Sequence, residues 1–479
     1  MFVDRHSEIA FLNSLLTKIR PTTGQLLLLY GRRRVGKTAL LQFWAEKSGV
    51  SYIYWMASKE PSNLQRRSLV ATIMGVEEDE APIFDSWTRT WQWVASQFEN
   101  RSDRQILIID ELPYASDADP AVLSGLQQVW DQQLRDSNVI VALCGSQVNT
   151  MEAIMHNQSP LFGRLTAQWL LQPLPFYALN EFFPNWKIDE KVALYSVLGG
   201  IPAYLEWLDP SLSFTENLQQ TILSPSSLFM AEPNLLLYEE LQDIGTYHAV
   251  LRAISRGMHT VKEISDACLI GSQKTGFYLT RLQDLHFVER RLPATLTAAQ
   301  RRKSRKGRYH LKDSYFRFYF RFIFPHLQSS RSVQSTVAHI RRELRPFVAF
   351  GFEQLCQEWI NVQAQLGNLS FDPEQIGSHW SRRVQIDVVA VDFVHKQILL
   401  GECKWQDDAV SRATVRELVE EKTSRLFLDL GWNEDDWEVS YVFFSRNGFT
   451  APSAEYASVY EMMLIDLESL ESGLSPQEL

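Results

Sequence analysis

Four short apolar runs alternate with helical stretches over the first 175 residues of the chain. The runs are Gln25–Tyr30, Ser51–Met56, Gln105–Asp110 and Val139–Cys144. Each is continuously hydrophobic rather than alternating with polar residues, which is typical of strands covered by helices on both faces. The alternation of strands and helices therefore predicts a mostly parallel sheet of the α/β class.

The pattern changes after this sheet. Residues 177–245 are helical in pattern, and residues 246–326 combine short amphipathic helices with two short strands. From about residue 345 a second α/β pattern begins. Its predicted elements are a helix (Ala349–Gln365), two strands (Arg383–Asp392 and Gln397–Cys403), a helix (Ala413–Leu430) and a strand (Glu438–Phe444).

Composition refines this picture. At roughly 150 residues per domain, the 479 residues predict about three domains. A net charge of −10 means that any nucleic-acid binding must be confined to a local patch of the surface.

The four cysteines lack C-x-x-C spacing, which argues against a zinc finger or a disulfide scaffold and favours a reducing cytosol. A charged N-terminus and the lack of a long apolar run argue against a signal peptide and a membrane span, so we expect a cytoplasmic protein.

The strongest chemical pattern directly follows the first strand. The sequence GRRRVGKT fits G-x-x-x-x-G-K-[ST] and precedes a predicted helix (Ala39–Lys47), as a P-loop requires. Glycines let backbone N–H groups curl around phosphate oxygens, and the helix N-terminus adds positive charge. Lys37 would reach the β- and γ-phosphates, and Thr38 would ligate Mg²⁺; the alternative is a glycine turn before a basic helix. The predicted nucleotide-binding residues are Gly31, Arg32, Arg33, Arg34, Val35, Gly36, Lys37 and Thr38.

Polar residues at the ends of two later strands supply the second half of such a site. Asp110 would hold Mg²⁺ through water, and Glu111 would polarise the attacking water. Ser146, after the next strand, could sense the γ-phosphate. The alternative is an acidic turn followed by an ordinary strand-end turn.

One arginine lies on a loop beyond these strands. Arg164 could stabilise the charge of a transferring phosphoryl group in a neighbouring subunit or domain. A surface arginine without a catalytic role explains the sequence equally well.

Residues 1 to about 240 resemble the archaeal-type AAA-related P-loop ATPases. The shared features are an F-x-x-R-x-x-E-like opening (Phe2–Glu8), the GRRRVGKT loop, the I-D-E strand end and the G-S-x turn. Gly199–Leu205 and Glu232–Leu236 resemble later helical signatures of the family. The resemblance implies adenine nucleotide, hence ATP with Mg²⁺, although position 147 is Gln where Ser is common. AAA-related cores often form rings, so a homo-oligomer stays open.

A basic stretch follows. Thr260–Ile270 and Ser272–Asp284 predict two helices around Gly271, and Phe287–Leu292 with Gly307–Lys312 predict a winged-helix hairpin. Residues 281–321 hold 12 Lys and Arg against 3 Asp and Glu, a local charge of +9, so the rest of the chain carries −19.

Such a stripe can neutralise phosphates. We therefore predict that nucleic acid, with DNA as the first expectation and RNA left open, binds residues 274–308 through Lys274, Arg281 and Arg301–Arg308. The alternative is a winged helix that docks a protein or is purely structural.

A second constellation lies near the C-terminus. Glu353 is in a predicted amphipathic helix, Asp387 in a predicted strand, and Glu402 and Lys404 at the end of the next strand. Residues two apart on a strand point to the same face. Two carboxylates buried together need a cation, for which Mg²⁺ or Mn²⁺ fits. Lys404 would orient or deprotonate a water, or stabilise phosphate charge.

The pattern D-x(14)-E-x-K after an acidic helix resembles the PD-(D/E)xK nuclease superfamily over about 345–450. In particular it resembles the nuclease-like domain that often ends archaeal-type ATPases. This implies a restriction-endonuclease-like fold with Glu353 as the helix acid, Asp387 and Glu402 as metal ligands, and Lys404 as the catalytic lysine. The alternative is an edge ion pair on a structural domain. His379, a lone histidine before a strand, is expected at the surface.

These patterns predict four parts: a P-loop ATPase core (1–175), a helical lid (176–245), a winged helix (246–326) and a nuclease-like α/β domain (345–479). The predicted function is Mg²⁺-dependent ATP hydrolysis joined to DNA binding and metal-dependent nuclease chemistry, without a membrane partner. The alternative is a slow nucleotide switch whose C-terminal domain is a catalytically inactive interaction module.

Overall fold

A computed structural model describes residues 2–17, 24–99, 101–241, 244–328 and 332–475. The chain divides into two compact units. The first comprises Met1–Leu174 with Ile201–Tyr204, and the second comprises Pro175–Gly200 with Leu205–Leu479. The finer division into four parts stays a prediction.

A five-stranded sheet forms the centre of the first unit. Its strands are β1 (Gln25–Tyr30), β2 (Ser51–Met56), β3 (Gln105–Asp110), β4 (Val139–Gly145) and β5 (Ala167–Leu170). The order is β2-β3-β4-β1-β5, and every neighbouring pair is parallel. β1, β3 and β4 are buried along their whole length, which explains their continuous hydrophobic runs. The predicted parallel α/β sheet is confirmed, and β5 is an additional edge strand.

Helices connect these strands. They are α1 (His6–Leu16), α2 (Lys37–Ser48), α3 (Ser62–Met74), α4 (Trp87–Phe98), α5 (Leu112–Ala118), α6 (Ala121–Gln132) and α7 (Val148–Ala153), with a 3₁₀ turn at Leu134–Asp136. Trp87 and Trp91 of α4 pack with strand residues in one buried apolar cluster. α2 begins at Lys37, so the P-loop runs directly into the helix.

The carboxyl ends of these parallel strands lie at one edge of the sheet. Tyr30 of β1 pairs with Gly145 of β4, and Met56 of β2 pairs with Asp110 of β3. Because β4 lies between β1 and β3, the P-loop and Asp110 flank the end of β4. Ligands of open parallel sheets bind at this edge, and the candidate nucleotide-binding residues all follow strand ends here.

Short helices and a hairpin lie between residues 175 and 327, all in the second unit except Ile201–Tyr204, which belongs to the first. The helices between residues 175 and 327 are α8 (Leu179–Phe182), α9 (Ile188–Leu198), α10 (Pro202–Glu206), α11 (Phe214–Asn217), α12 (Leu228–Glu240), α13 (Ile244–Ser255), α14 (Val261–Cys268), α15 (Ser272–Asp284), α16 (Ala298–Lys303), α17 (Ser314–Phe318) and α18 (Phe324–Leu327). Single 3₁₀ or π turns lie at Phe176–Ala178, Leu218–Ile222 and Tyr319–Ile323. β6 (Val288–Arg291) and β7 (Arg308–Leu311) pair antiparallel. The predicted helix pair and strand pair are confirmed to within two residues at each end.

One long helix leads into the second sheet. α19 spans Val333–Gln365, so the predicted helix Ala349–Gln365 is confirmed and begins earlier than expected. Pro346 lies inside it and lacks an N–H, yet flanking residues such as Phe347 and Val348 are buried and hold the helix in place. Neither α19 nor any other helix in the described ranges is long and apolar enough to cross a membrane.

A mixed five-stranded sheet completes the second unit. Its strands are β8 (Gln375–Trp380), β9 (Gln385–Asp392), β10 (Gln397–Lys404), β11 (Glu438–Ser445) and β12 (Met463–Ile465), in the order β12-β11-β10-β9-β8. The remaining helices are α20 (Arg412–Arg416), α21 (Thr423–Leu430), α22 (Ala451–Val459) and α23 (Leu467–Leu474), with a π-helical turn at Glu417–Lys422 and a 3₁₀ turn at Glu434–Asp436. β10 pairs antiparallel with β9 and parallel with β11. The three predicted strands are confirmed, and β8 and β12 are additional.

Gly401 of β10 offers a direct test of packing in this sheet. A Cβ atom there would lie 2.6 Å from Val442 Cγ1 and 3.1 Å from Val388 Cβ. Gly401→Ala should therefore destabilise the protein by about 1–3 kcal/mol, measured by chemical denaturation. As a matched control, Gly276→Ala on α15 meets no atom within 4 Å and should stabilise by up to about 1 kcal/mol, the helix preference for Ala. Equal effects of the two changes would contradict the packing.

Candidate functional site

The P-loop of the first unit forms a tight turn between β1 and α2. Three of its residues have positive φ, namely Gly31 at 157°, Arg34 at 67° and Gly36 at 93°. A Cβ at Gly31 would lie 2.5 Å from the Leu171 carbonyl oxygen, so only glycine fits. The loop thus has the backbone geometry that P-loop chemistry needs at both of its glycines.

The side chain of Lys37 folds back across this loop. Its ammonium donates to the carbonyl oxygens of Gly31 at 2.9 Å and Arg32 at 3.0 Å. Lys37 is only 6% exposed, and burial lowers the pKa of its ammonium. A charge held at the centre of the loop is suitably placed for an anionic ligand.

Other residues of the P-loop form hydrogen bonds to side chains outside the loop. Arg32 donates to the Tyr204 hydroxyl at 3.3 Å and Arg33 to the Tyr114 hydroxyl at 2.5 Å. Val35 is fully buried, and its carbonyl oxygen accepts a hydrogen bond from Arg5 at 2.9 Å. Arg5 belongs to the opening F-x-x-R-x-x-E-like segment, which therefore braces the P-loop.

Asp110 joins the end of β3 to the P-loop. Its Oδ2 accepts hydrogen bonds from the Thr38 hydroxyl at 2.6 Å and the Tyr54 hydroxyl at 2.9 Å, and its Oδ1 accepts the Glu111 N–H at 2.9 Å. Burial, followed by the charge of Asp110, raises the pKa of Tyr54. The Thr38 hydroxyl and the Asp110 carboxylate are hard oxygen donors in contact, and they fit Mg²⁺. The sequence did not predict a role for Tyr54, because a single tyrosine in a strand belongs to no nucleotide-binding motif.

Glu111 lies on a strained backbone beside Ser146. Its φ is 49°, which is costly for a residue with a side chain. The Ser146 hydroxyl lies 2.9 and 2.8 Å from the two Glu111 carboxylate oxygens, and the Ser146 N–H donates to the same carboxylate at 3.3 Å. The residue predicted to sense the γ-phosphate therefore holds the carboxylate predicted to activate water.

Arg164 is engaged by an acidic residue of its own unit. Its guanidinium donates to both carboxylate oxygens of Asp131, at 3.0 Å from Nε and 2.7 Å from Nη2. Its Nη1 also donates to the carbonyl oxygens of Pro160 and Phe162. In this arrangement Arg164 would have to release Asp131 before it could reach a phosphate.

In the second unit the predicted acidic residues and lysine are brought together. Glu402, in β10, is 2% exposed, and its Oε2 accepts a hydrogen bond from Lys404 Nζ at 2.7 Å. Glu402 and Lys404 thus lie side by side, as their spacing on a strand predicts. Lys422 donates to the other oxygen, Oε1, at 2.6 Å, and this second lysine was not predicted.

Asp387 and Glu353 complete the cluster. Asp387 Oδ2 accepts the Cys403 N–H at 3.1 Å. Burial and then the charge of Glu402 raise the pKa of Asp387 to about 6. Burial, then the charges of Asp387 and Glu402, raise the pKa of Glu353 to about 8. The mutual repulsion of these carboxylates is the electrostatic condition that a cation relieves.

Two carboxylates of this cluster, Asp387 and Glu402, are the candidate ligands for one divalent cation. No group of three or more His, Cys, Asp and Glu side chains poised to hold a metal occurs in the part of the chain that the structure describes. Mg²⁺ is commonly held by one or two carboxylates with waters, and Asp387 with Glu402 supplies that set.

The basic stretch divides into packed and exposed residues. Arg301 donates to Gln375 Oε1 at 2.5 Å, and the Arg308 guanidinium lies 4.9 Å from the centre of the Trp380 ring; both partners belong to β8. The exposed basic residues between 274 and 312 are Lys274, Arg281, Arg290, Arg302, Lys303, Arg305, Lys306 and Lys312. These residues present their charge to solvent, whereas Arg301 and Arg308 are half-buried against β8.

His379 corrects one expectation. It lies within β8 and is 1% exposed, so the predicted surface position is wrong. Its Nδ1 lies 2.8 Å from the Thr295 hydroxyl, and burial lowers the pKa of His379 to about 4. The polar sequence of β8 gave no sign that its last two residues, His379 and Trp380, are buried.

Two family models match the chain. One, described as an ATPase domain predominantly from Archaea, matches residues 2–208. The other, described as archaea bacterial proteins of unknown function, matches residues 319–418. The uncharacterized protein MJECL04 of Methanocaldococcus jannaschii is 32% identical over 408 residues, covering 85% of this chain and 88% of that protein.

Solved structures give lower similarity. The Walker-type ATPase of Pyrococcus abyssi is 19% identical with a TM-score of 0.49, covering 67% of this chain and 96% of that chain. The ORC2 protein of Aeropyrum pernix, in ADPNP and ADP complexes, is 14% identical with a TM-score of 0.44, covering 71% and 95%. Both TM-scores lie below 0.5, so neither structure bears on the function of this chain.

The hairpin makes a prediction about acid stability. His310 of β7 stacks between His259, at 4.2 Å, and Phe350 of α19, at 5.4 Å, and burial lowers the pKa of His310 to about 2. An unfolded histidine has a pKa of about 6.5. The neutral His310 ring therefore stabilises the folded protein fully above pH 6.5. This contribution is lost as the pH falls toward 2, and the loss is about 2 kcal/mol at pH 5.

His310→Phe keeps a ring in the stack and removes the titrating group. We expect its thermal unfolding midpoint to fall less than that of the wild type between pH 7 and pH 5, measured by circular dichroism. His156→Gln, at an exposed position, is the control and should behave like the wild type. An equal fall in His310→Phe and wild type would contradict the assignment.

Proposed function

Since this chain belongs to the family of archaeal-type ATPases, we propose that it binds and hydrolyses ATP and couples this to metal-dependent cleavage of nucleic acid. The ATPase proposal depends above all on one contact, the 2.6 Å hydrogen bond from Thr38 to Asp110. It joins the P-loop to the acidic strand end, the pairing on which nucleoside-triphosphate hydrolysis depends.

Each residue of the first site has a distinct task in this proposal. Backbone N–H groups of residues 31–38 surround the phosphates, and Lys37 leaves the carbonyl oxygens of its own loop to contact the β- and γ-phosphates. Thr38 and Asp110 hold Mg²⁺, which supplies charge neutralisation when bound. Glu111 orients the attacking water and accepts its proton.

Removal of Lys37 tests this site. Lys37→Ala should lower ATP turnover by about a hundredfold or more, because the phosphates lose their fixed positive charge. The assay is phosphate release by the full-length protein with Mg²⁺. Lys47→Ala, an exposed lysine later in the same helix, is the matched control and should keep its turnover. Unchanged turnover in Lys37→Ala would refute the site.

A second function is favoured by the state of Glu111 and Arg164. Ser146 holds the Glu111 carboxylate, and Asp131 holds Arg164. Both contacts oppose hydrolysis, as expected of a slow nucleotide switch whose C-terminal domain is an inactive interaction module. Tight ATP binding with negligible turnover would favour the switch; turnover raised by a homo-oligomer, through Arg164, would favour the ATPase.

Nucleic acid is the proposed partner of the second unit. The helix pair α14 and α15 with the β6–β7 hairpin has the order of elements of a winged helix. Its exposed Lys274 and Arg281 lie on α15, and Arg302 to Lys306 lie between the two strands. Such residues neutralise phosphates, so DNA affinity would fall steeply with salt.

The cluster around Glu402 is the proposed cleavage site. Asp387 and Glu402 hold Mg²⁺ or Mn²⁺, which supplies Lewis-acid charge when bound. Glu353 would hold the attacking water, and Lys404 is paired with Glu402. Lys404 orients the attacking water or stabilises charge on the phosphate.

Glu402→Gln tests cleavage. The change keeps the shape but removes a charged ligand, so nicking of plasmid DNA with Mg²⁺ or Mn²⁺ should fall by about a hundredfold or more. Glu438→Gln, an exposed glutamate on β11, is the matched control. DNA binding should persist in both variants. Nicking that survives both Glu402→Gln and Asp387→Ala would show that the assignment is wrong.

A further inference from the structure

Helix α15 carries a large aromatic side chain on the face that it turns to solvent. Its buried residues are Thr275, Leu279 and Leu282. Phe277 lies on the opposite side of the helix and is 66% exposed, and its ring meets that of Tyr278 edge to face at 5.6 Å. A single exposed apolar residue is ordinary on a protein surface, and the neighbours of Phe277 are what distinguish it.

Two cationic side chains flank Phe277 along the same face. Lys274 comes three residues before it and Arg281 four residues after it, and both are exposed; this spacing places side chains on one side of a helix. Asp284, the one acidic residue of α15, is its last residue. A Cβ at the neighbouring Gly276 would meet no atom within 4 Å. The face is thus open, apolar at its centre and positive on either side of that centre.

The turn that precedes α15 exposes a second apolar side chain. Leu269, between α14 and α15, is 92% exposed. Its φ is 55°, a left-handed conformation that is costly for a residue with a side chain and is frequent at functional sites. The exposed edge of this helix pair therefore combines apolar groups with positive charge. Charge alone would suffice for contacts with phosphates, so the apolar groups indicate a partner that also offers apolar surface.

The major groove of duplex DNA has the matching chemistry. Phosphates line the groove on both sides, and each thymine presents its C5 methyl group there, an apolar group that a phenylalanine side chain can contact. The groove of B-form DNA is wide enough to admit an α-helix. The major groove of A-form RNA is too deep and narrow for side chains to read, and uracil lacks the methyl group.

We propose that α15 enters the major groove of duplex DNA with Phe277 against thymine methyl groups and with Lys274 and Arg281 on the flanking phosphates. This rests on the proposed binding of nucleic acid by the second unit, and it selects DNA against RNA at that surface. Burial of one methyl group against Phe277 contributes about fourfold to the affinity. Phe277 thus determines specificity, while the two cations supply affinity that depends on salt.

Fluorescence anisotropy of the full-length protein with an alternating A·T duplex tests this contact. The comparison duplex carries deoxyuridine in place of thymidine, which removes the methyl groups, and divalent cations are omitted so that neither duplex is cut. The wild type should bind the thymidine duplex about fourfold more tightly for each methyl group in contact. Phe277→Ala should bind both duplexes as the wild type binds the deoxyuridine duplex. Phe277→Leu, which keeps an apolar side chain, should keep the preference for thymidine.

Tyr238→Ala is the matched control. It removes an aromatic side chain of the same exposure, 66%, from α12 of the same unit, and the preference for thymidine should stay as in the wild type. A wild type that binds both DNA duplexes equally, or a Phe277→Ala protein that keeps the preference, overturns the Phe277 contact while DNA binding stands, and would point to a protein partner for this face. An A·U RNA duplex bound as tightly as the A·T duplex also overturns it. If no duplex binds in a salt-dependent way, the nucleic-acid partner of the proposed function fails as well.

Discussion

The cost of holding carboxylates at the ends of buried strands governs both candidate sites. A strand buried on both faces can carry a charge only where it ends, because an unpaired charge in an apolar interior is strongly unfavourable. Asp110 ends β3, and Glu402 lies near the end of β10. Sheet geometry then decides which other side chains can reach each carboxylate.

The two units meet that cost in different ways. Asp110 is held by neutral hydroxyl donors, Thr38 and Tyr54, and the nearby lysine bonds to carbonyl oxygens of the P-loop. Its site is thus arranged for an anionic ligand. Glu402 is held by two ammoniums, while burial and mutual repulsion raise the pKa values of its neighbours Asp387 and Glu353. Under the proposed function, that site would take a cation together with a phosphate.

The sequence predicted the elements that depend only on neighbouring residues in the chain. Continuous hydrophobic runs defined β1, β3 and β4, and the P-loop pattern fixed its own position between a strand and a helix. The features that the sequence did not predict depend on contacts between residues far apart in the chain. β8 is polar in sequence and is recognised only by its pairing with β9, which also explains the buried His379. The helix α19 continues through Pro346 because its buried face outweighs one lost hydrogen bond.

In the two candidate sites, too, contacts between residues close in sequence were predicted, and contacts between distant residues were not. The spacing of Glu402 and Lys404 on a strand predicted their contact, which follows from backbone geometry alone. Lys422, twenty residues from Glu402 in sequence, reaches it through a π turn that no hydrophobic pattern indicates. Tyr54 and Ser146 act through contacts between neighbouring strands. The engagement of Arg164 by Asp131 likewise depends on the folded chain.

We propose that one chain holds two metal-dependent phosphate sites. The most direct measurement is anomalous diffraction from crystals grown with Mn²⁺ and a non-hydrolysable ATP analogue. We expect one Mn²⁺ peak beside Thr38 and Asp110 and a second between Asp387 and Glu402. A single peak beside Thr38, with none between Asp387 and Glu402 at saturating Mn²⁺, would contradict it.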